Sequence, residues 1–439
     1  MSVGIGRVAL WVAAFAAVVA AVGGARLLAR SEPLDLPAAL ERVFDRRSDG
    51  ERAVAAALAR LNNSPGDARA MAGLAAAYLF RARETADPSY YAKAGALLDR
   101  ATALAPDEAD VALTAGSLAL SRHDFTAGLR WAEVAARSAP DRPAVYGVMT
   151  DALVELGRYD EAIGSAQRMV DLRPDLPSLS RIAYLRELHG DLDGAIDAMR
   201  RAVEAGAPRT EATAWTEVQL GHLYFAKNDL AAADHAYASS LQRVDGYVYG
   251  LAGTARVRAA RGDLAGAAAL YEDAARRLPV PDVVIALGDV YARMGDGARA
   301  QQQFALVGAM QQLLAANGVR NDADLALFDL DHGIANAAAL PTAAAEYAIR
   351  PSTTVALILA WAEYKSGETA AALRHANEAL RLGSRDPLTL YRAGVIADAA
   401  GDHLRAASLL RASSELNPRF STLFETDLAY RLLRPQAGR

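Results

Sequence analysis

Small side chains recur at fixed places between larger apolar and charged positions along residues 68–418. The same 34-residue spacing separates two sets of turn-forming residues, which are Pro106, Pro140 and Pro174, and Gly333, Gly367 and Gly401. A constant interval of this length is typical of stacked supersecondary units, none of which can bury its apolar face alone. The pattern therefore predicts about ten copies of one helical hairpin rather than a single globular core.

We number each unit 1 to 34, with its closing proline near position 32. In this numbering, positions 8 and 20 of each unit hold small residues. Position 8 holds Ala75, Gly116, Thr150, Ala183, Gly221, Ala255, Gly288, Ala326, Ala360 and Gly394. Position 20 holds Ala94, Gly128, Ala162, Ala195, Ala233, Ala267, Ala300, Ala338, Ala372 and Ala406. Two helices approach closely only where small side chains meet, so these positions predict the crossing of a first helix (A) on a second helix (B). Position 27, which includes Ala345, is predicted to face the next hairpin.

Position 15 predicts the turn between the A and B helices. It holds His123, Gly157, Gly190, Asn228, Gly262, Gly295, Gly333, Gly367 and Gly401. A helix commonly ends on a residue with positive φ, which glycine adopts freely and Asn and His adopt more readily than most other residues. Carboxylates such as Asp229 follow directly and are expected to stabilise the start of the B helix.

The segments AVYGVMTDALVELGRYDEAIGSAQRMVDLRP and WTEVQLGHLYFAKNDLAAADHAYASSL resemble tetratricopeptide repeats, and the resemblance extends from about Ala68 to Pro418. It implies an all-α fold, a right-handed α-solenoid of about ten hairpins. We expect Glu51–Leu61 to form a lone helix under the first hairpin and Phe420–Leu433 to form a terminal capping helix.

The repeat is irregular at four places. The first unit carries about seven extra residues around ARETADPSYYAK, and expansions of about four residues fall near AGAPRT and QQLLAANG. Pro341 lies inside the expected B helix of the eighth unit. Because proline disrupts a helix interior, that helix is predicted to be kinked or to start late.

An uncharged run from Val8 to Ala25 precedes the repeats and is closed by Arg26 and Arg30. Residues 1–30 are therefore predicted to be either a cleaved signal peptide or a retained membrane anchor, and a buried first helix is a third interpretation. Export or anchoring with an extracytoplasmic array is favoured. Residues 31–50 are interpreted as a tether, 51–433 as the array with its capping helices, and 434–439 as a tail.

Composition and charge exclude several functions. The net charge of −5 and the absence of a Lys/Arg block argue against nucleic acid as a partner. No cysteine is present, so disulfides and thiol chemistry are impossible. The seven histidines fall mostly beside separate turns, and no catalytic motif is found. We therefore expect no enzymatic activity, no cofactor, no metal and no small-molecule substrate.

The resemblance also implies where a partner binds, because A helices line the concave face of such arrays. Their groove-facing positions in the third to sixth units form the predicted site, which comprises Asp151, Glu155, Arg181, Tyr184, Glu187, Trp215, Gln219, His222, Phe225, Tyr249 and Arg256. Trp361 and Tyr391 extend the same pattern in later units. Clustered aromatic residues with interspersed arginine are typical of binding hot spots.

The leading functional hypothesis is a binding scaffold, exported or membrane-anchored, that holds a peptide or protein in this groove. Tyr184, Trp215, Phe225 and Tyr249 are expected to act as apolar anchors. Arg181, His222 and Arg256 would orient the ligand, and Asp151, Glu155 and Glu187 would repel an acidic one. The alternative hypothesis is an accessory subunit of an envelope enzyme or of a transport assembly, for example one for polysaccharide export.

Overall fold

The structure, a computed structural model, describes residues 48–320, 322–334 and 337–433. The predicted signal peptide or anchor, nearly all of the tether and the tail lie outside these residues. The described residues form helices and no strand. A leading helix, α1 (Asp49–Asn63), and a terminal helix, α22 (Glu425–Leu433), bracket ten hairpins. Both bracketing helices were predicted, although the last one starts five residues later than expected.

The hairpins of the first half have the following A and B helices. They are α2 (Ala68–Thr85) with α3 (Ser89–Leu104), α4 (Ala109–Ser121) with α5 (Phe125–Ser138), α6 (Pro143–Glu155) with α7 (Tyr159–Leu172), α8 (Leu176–Leu188) with α9 (Leu192–Ala205), and α10 (Glu211–Ala226) with α11 (Leu230–Arg243).

The second half continues in the same order. Its pairs are α12 (Val248–Ala260) with α13 (Leu264–Arg277), α14 (Pro281–Arg293) with α15 (Gly297–Ala316), α16 (Asp322–His332) with α17 (Ala339–Ile349), α18 (Thr353–Lys365) with α19 (Thr369–Ala379), and α20 (Pro387–Ala399) with α21 (His403–Leu416). The predicted all-α solenoid of about ten hairpins is confirmed.

The predicted register is confirmed at nearly every unit. All ten residues at position 8 are buried, and so are nine of the ten at position 20. The residues at position 15 all have positive φ, including the two that are not glycine, His123 and Asn228, which are both at 59°. Asp229 then accepts a hydrogen bond from the backbone N–H of Ala232 at 3.0 Å, which caps α11 as expected.

The eighth unit corrects the register by one residue. Its B helix begins at Ala339, so the prediction that Pro341 delays the start is confirmed. Ala338 and Ala345 were predicted to pack at positions 20 and 27, but both are exposed, and Ala339 and Glu346 are buried instead. Proline is accommodated in the first turn of a helix, where its missing N–H has no intrahelical partner. The helix therefore begins beside Pro341, and its buried face moves by one position.

The array coils back on itself, so that units four to six repeats apart touch. The Tyr159 hydroxyl at the third turn accepts a hydrogen bond from Thr353 N–H at 2.8 Å. Asn417 Nδ2 donates to Phe225 O at 2.7 Å, although the two residues are 192 positions apart. Further contacts of this kind join Arg320 N–H to Arg122 O at 3.0 Å and Arg419 Nη1 to Ala260 O at 2.9 Å. These contacts join successive superhelical turns of the array, and we call them the inter-turn seam. The seam converts the concave groove into an interior space.

Enlarging a crossing position is expected to destabilise the array. Ala233 is fully buried between α10 and α11. Ala233→Leu should therefore lower the free energy of unfolding by about 1–3 kcal/mol, because the added methylenes force the helices apart. Urea denaturation followed by circular dichroism measures the change. Ala238→Leu, at an exposed position of the same helix, is the matched control, and equal midpoints for both variants would contradict the register.

Candidate functional site

Four neighbouring A helices, α6, α8, α10 and α12, carry the predicted site. Residues spaced three or four apart share one face of a helix, so each A helix presents its predicted residues to the same side. Nine of the eleven predicted residues line one central cavity of about 780 Å³, and these are Asp151, Glu155, Arg181, Tyr184, Glu187, Trp215, Gln219, His222 and Arg256. Phe125 and Asp386 complete its charged and aromatic lining. The coiling of the array thus brings residues of both halves to the same space.

The two remaining predicted residues, Phe225 and Tyr249, line an adjoining cavity of about 350 Å³. Phe225 is 2% exposed, because its ring packs in a buried cluster with residues of the fifth and sixth units, including Val218, Tyr237 and Val257. The Arg256 guanidinium also lies 4.0 Å from its ring centroid. The expectation that Phe225 offers an apolar surface to a ligand is therefore wrong for the closed array. The sequence pattern placed it correctly on the A helix, but packing between the fifth and sixth units buries its ring.

Trp361 and Tyr391 were also expected in the groove, and both are core residues. They are 2% and 3% exposed. Phe424 lies against both rings, with centroid distances of 6.2 Å to Trp361 and 5.1 Å to Tyr391. The segment before the terminal helix therefore fills the groove of the last two units.

Tyr184 and Trp215 keep their surface available. Their side chains are 41% and 42% exposed, although both line the central cavity. Rings that remain partly uncovered inside a concave space can bury much apolar area on binding at little cost in rotamer entropy. They are the two predicted anchors that the structure leaves open in this cavity.

Three of the six described charged residues that line the central cavity are already in ion pairs within the protein. Arg181 donates from Nε to Asp151 Oδ1 at 2.8 Å and from Nη2 to Oδ2 at 2.5 Å. Glu155 accepts from Arg350 Nη1 at 2.8 Å, across the seam. Such bidentate pairs hold both side chains in fixed positions. Arg181 therefore meets a ligand as half of a neutral pair rather than as an isolated cation.

His222 is held neutral. Its Nδ1 lies 2.8 Å from the Tyr237 hydroxyl, and the residue is partly buried. Burial, followed by the nearby Arg256 charge, lowers the pKa of His222 to about 3. An uncharged imidazole can orient a ligand by hydrogen bonding at neutral pH, but it does not attract an anion.

Glu187 is the acidic residue of the cavity whose charge is least compensated. Burial, followed by repulsion from Asp386, raises the pKa of Glu187 to about 7. Asp386 approaches from the loop before α20, where its side chain accepts a hydrogen bond from Thr389 N–H at 2.7 Å. The two carboxylates face each other across the seam, so a cation in the cavity would relieve their repulsion.

Glu187 is expected to make stability fall with rising pH. Because its folded-state pKa exceeds the unfolded value of about 4.3, the folded protein binds the extra proton between about pH 4.3 and 7. The stabilisation is present below that window and is lost as the pH rises through it. Glu187→Gln should remove this loss and raise the free energy of unfolding at pH 8 by about 1–3 kcal/mol relative to the parent. Parallel pH profiles for the parent and the variant, from denaturant titrations, would contradict this assignment.

The sequence analysis missed another cavity, of about 1030 Å³, which lies against the first three units. Its lining includes small and scattered polar residues such as Ala76, Ser117 and Ser121, which form no aromatic or charged cluster in the sequence pattern. Arg142 and Asp110 form an ion pair there. This first-unit cavity shares Asp151 and Arg181 with the central cavity, so the interior continues toward the N-terminal end of the array.

The histidines do not gather into a metal site, and no group of three or more potential ligands occurs among the described residues. His332 instead bonds Asp289, with Nε2 2.7 Å from Oδ1, and packs 4.4 Å from the Phe304 ring. This buried contact between the seventh and eighth units was not predicted. The pairing raises the pKa of His332 despite its burial.

Comparison with known families agrees with this geometry. The tetratricopeptide repeat model matches residues 150–209 and 357–418, which are two pairs of adjoining hairpin segments. The chain therefore carries tetratricopeptide repeats in these two stretches. Arrays of this family are scaffolds for protein–protein interaction, and their fold is generally non-catalytic. A search of the curated proteins finds no match.

Solved structures with similar hairpin arrays have low sequence identity to this chain. The human IFIT1 dimer with PPP-AAAA is 13% identical, with 86% of this chain and 89% of that one covered and a TM-score of 0.45. The APC/C hetero-tetramer Cut9–Hcn1 is 14% identical, with 88% of this chain and 93% of that one covered and a TM-score of 0.36. PilW, a type IV pilus biogenesis factor, is 16% identical, with 46% of this chain and 92% of that one covered and a TM-score of 0.39. Similarity at this level transfers no partner.

Within the described residues, no helix is both long and apolar enough to cross a membrane. The predicted signal peptide or anchor lies outside that part of the chain, so its role stays a prediction.

Proposed function

We propose that this protein is a non-enzymatic scaffold that holds a segment of a protein partner in its central cavity. One observation carries the proposal. Nine residues expected from the family resemblance to face the groove line a single cavity, and two of the rings among them, Tyr184 and Trp215, are only partly covered. Concave spaces with aromatic walls and a few placed polar groups are the usual form of binding sites.

The charge of the cavity favours a basic segment. Asp151, Glu155, Glu187 and Asp386 line it together with the guanidinium groups of Arg181 and Arg256, while His222 is neutral. Glu187 and Asp386 repel each other, and a Lys or Arg side chain of the partner would bring a compensating charge between them. Tyr184 and Trp215 would cover the apolar part of the same segment.

Site-specific photo-crosslinking tests this function. A photoreactive amino acid replaces Gln219, inside the cavity, or Arg276, an exposed residue of α13 as the control. We expect a discrete crosslinked protein adduct from position 219 and none from position 276. Adducts of equal yield from both positions, or from the control alone, would show that partners do not use the cavity.

We propose further that the array faces the extracytoplasmic side of a membrane. The support is the apolar run from Val8 to Ala25 with its basic flanks, which suits a signal peptide or an anchor. An alkaline phosphatase fusion after Arg30 should be active, because that enzyme folds only after export. A fusion that is inactive, in cells where the protein fractionates with the cytosol, would refute the location and leave the binding function untouched.

A further inference from the structure

Three of the four irregular segments of the repeat meet in space. Residues 82–91 of the enlarged first turn form one wall of a side cleft of about 410 Å³, and Met310, Leu313 and Leu314 form another. The second wall exists because α15 has 20 residues, whereas the B helices of the third to sixth units have 14. Glu211, which follows the AGAPRT expansion directly, lies at the same cleft. Extra segments in repeat proteins commonly gather on a binding face.

The side cleft has an aromatic and proline-rich surface. Trp215 and Leu313 are 42% and 55% exposed, and they face Tyr91, Tyr249 and Pro281 in the same cleft. Burial raises the pKa of Tyr249, in keeping with an environment poor in water. Aromatic-lined grooves of this composition receive extended, proline-containing peptide segments, because such segments lose little conformational entropy on binding.

Charge selects the type of segment. Arg83 is exposed at this cleft and forms no ion pair with a described residue. Glu211, the one other charged residue among the described residues of the lining, already accepts a hydrogen bond from the Tyr247 hydroxyl at 2.8 Å. The cleft therefore has a cation available and its one carboxylate engaged, which is the opposite of the central cavity.

We propose that the side cleft is a second peptide subsite, which takes an extended apolar segment with a carboxylate placed against Arg83. Trp215 lines both the side cleft and the central cavity. The subsite therefore rests on the proposed function, because it would bind a further segment of the same partner next to the basic one. A partner with a basic stretch followed by an acidic and apolar one fits the two sites together.

The test uses two synthetic peptides, acetyl-Pro-(4-fluoro-Phe)-Glu-amide and its Lys counterpart, titrated into the protein with ¹⁹F NMR. We expect the Glu peptide to bind, with affinity lowered at least tenfold by Arg83→Gln and by Leu313→Asp. Glu187→Gln should leave the binding of this peptide unchanged. Both cleft residues are exposed, so the variants should fold, and circular dichroism verifies this.

Three results would overturn the subsite. In the first, the Glu peptide does not bind. In the second, the Lys peptide binds as tightly as the Glu peptide, and both cleft substitutions weaken its binding. In the third, the Glu peptide binds, but neither cleft substitution changes its affinity. The central cavity is tested separately, because Glu187→Gln affects only ligands held there. Failure of crosslinking from position 219 with intact Glu-peptide binding would remove the proposed function and keep the cleft.

Discussion

Arg350→Ala should destabilise the protein more than any other single charge removal at the seam, by about 3–5 kcal/mol. Arg350 is 6% exposed, and its guanidinium is bonded to Glu346 and to Glu155 and lies 5.1 Å from the Phe125 ring centroid. Removing it leaves two carboxylates without their cation in a poorly hydrated place. Breaking one partner out of a buried ion pair is costly for this reason, even where the intact pair adds little.

Chemical denaturation measures this effect, with Arg374→Ala as the control, because Arg374 is exposed on α19 and forms only a hydrogen bond to its own helix. Adding Glu155→Gln and Glu346→Gln to Arg350→Ala should restore part of the loss, since the uncompensated charges are then gone. A midpoint for Arg350→Ala equal to that of Arg374→Ala would show that the seam does not contribute to stability.

Trp215→Ala should weaken partner binding by about thirtyfold or more, which corresponds to about 2 kcal/mol or more. Its ring is the one predicted anchor that lines both the central cavity and the side cleft, and it is only partly covered in the free protein. Truncation therefore removes contact area that is gained on binding and takes little from the folded core.

The affinity is measured by calorimetry with the partner captured through position 219, and Arg276→Ala is the matched control outside the cavity. Tyr184→Ala should show a similar loss without affecting the side cleft, since Tyr184 lines only the central cavity. If both aromatic variants fold and bind as tightly as Arg276→Ala, these rings do not contribute to recognition.

The repeated features of the fold could be predicted because each one imposes a local geometry. Gly262 and Asn228 mark turns with positive φ, and Ala233 marks a close helix crossing, so the requirement is visible in every unit. The predicted register of buried positions was wrong in the eighth unit, where Pro341 lies in the first turn of α17 and the buried face of that helix is shifted by one position.

The inter-turn seam could not be predicted, because its residues occur once and carry no period. Tyr159 and Thr353 meet 194 positions apart because small rotations accumulate over five hairpins. A sequence pattern specifies the rotation between neighbouring hairpins only roughly. Because the errors add up over several hairpins, the sequence does not predict which distant units come into contact. In the site, A-helix positions correctly assembled Tyr184, Trp215 and Glu187 around one cavity. Phe225 lies on the same helix as Trp215 but packs into the core with Val218 and Tyr237, and helix position alone does not distinguish these two outcomes.

The distance across the seam tests most directly whether the groove is an interior cavity. The chain has no native cysteine, so Asp193→Cys and Arg385→Cys place two spin labels on opposite sides of the seam without background. The Arg385 side chain lies beside the fourth turn, 3.3 Å from where a Cβ on Gly190 would stand. The closed array predicts label distances below about 25 Å, whereas an open stack of five hairpins at about 10 Å each separates the labels by about 50 Å. A distribution centred near the longer distance would contradict the closed cavity on which the account depends.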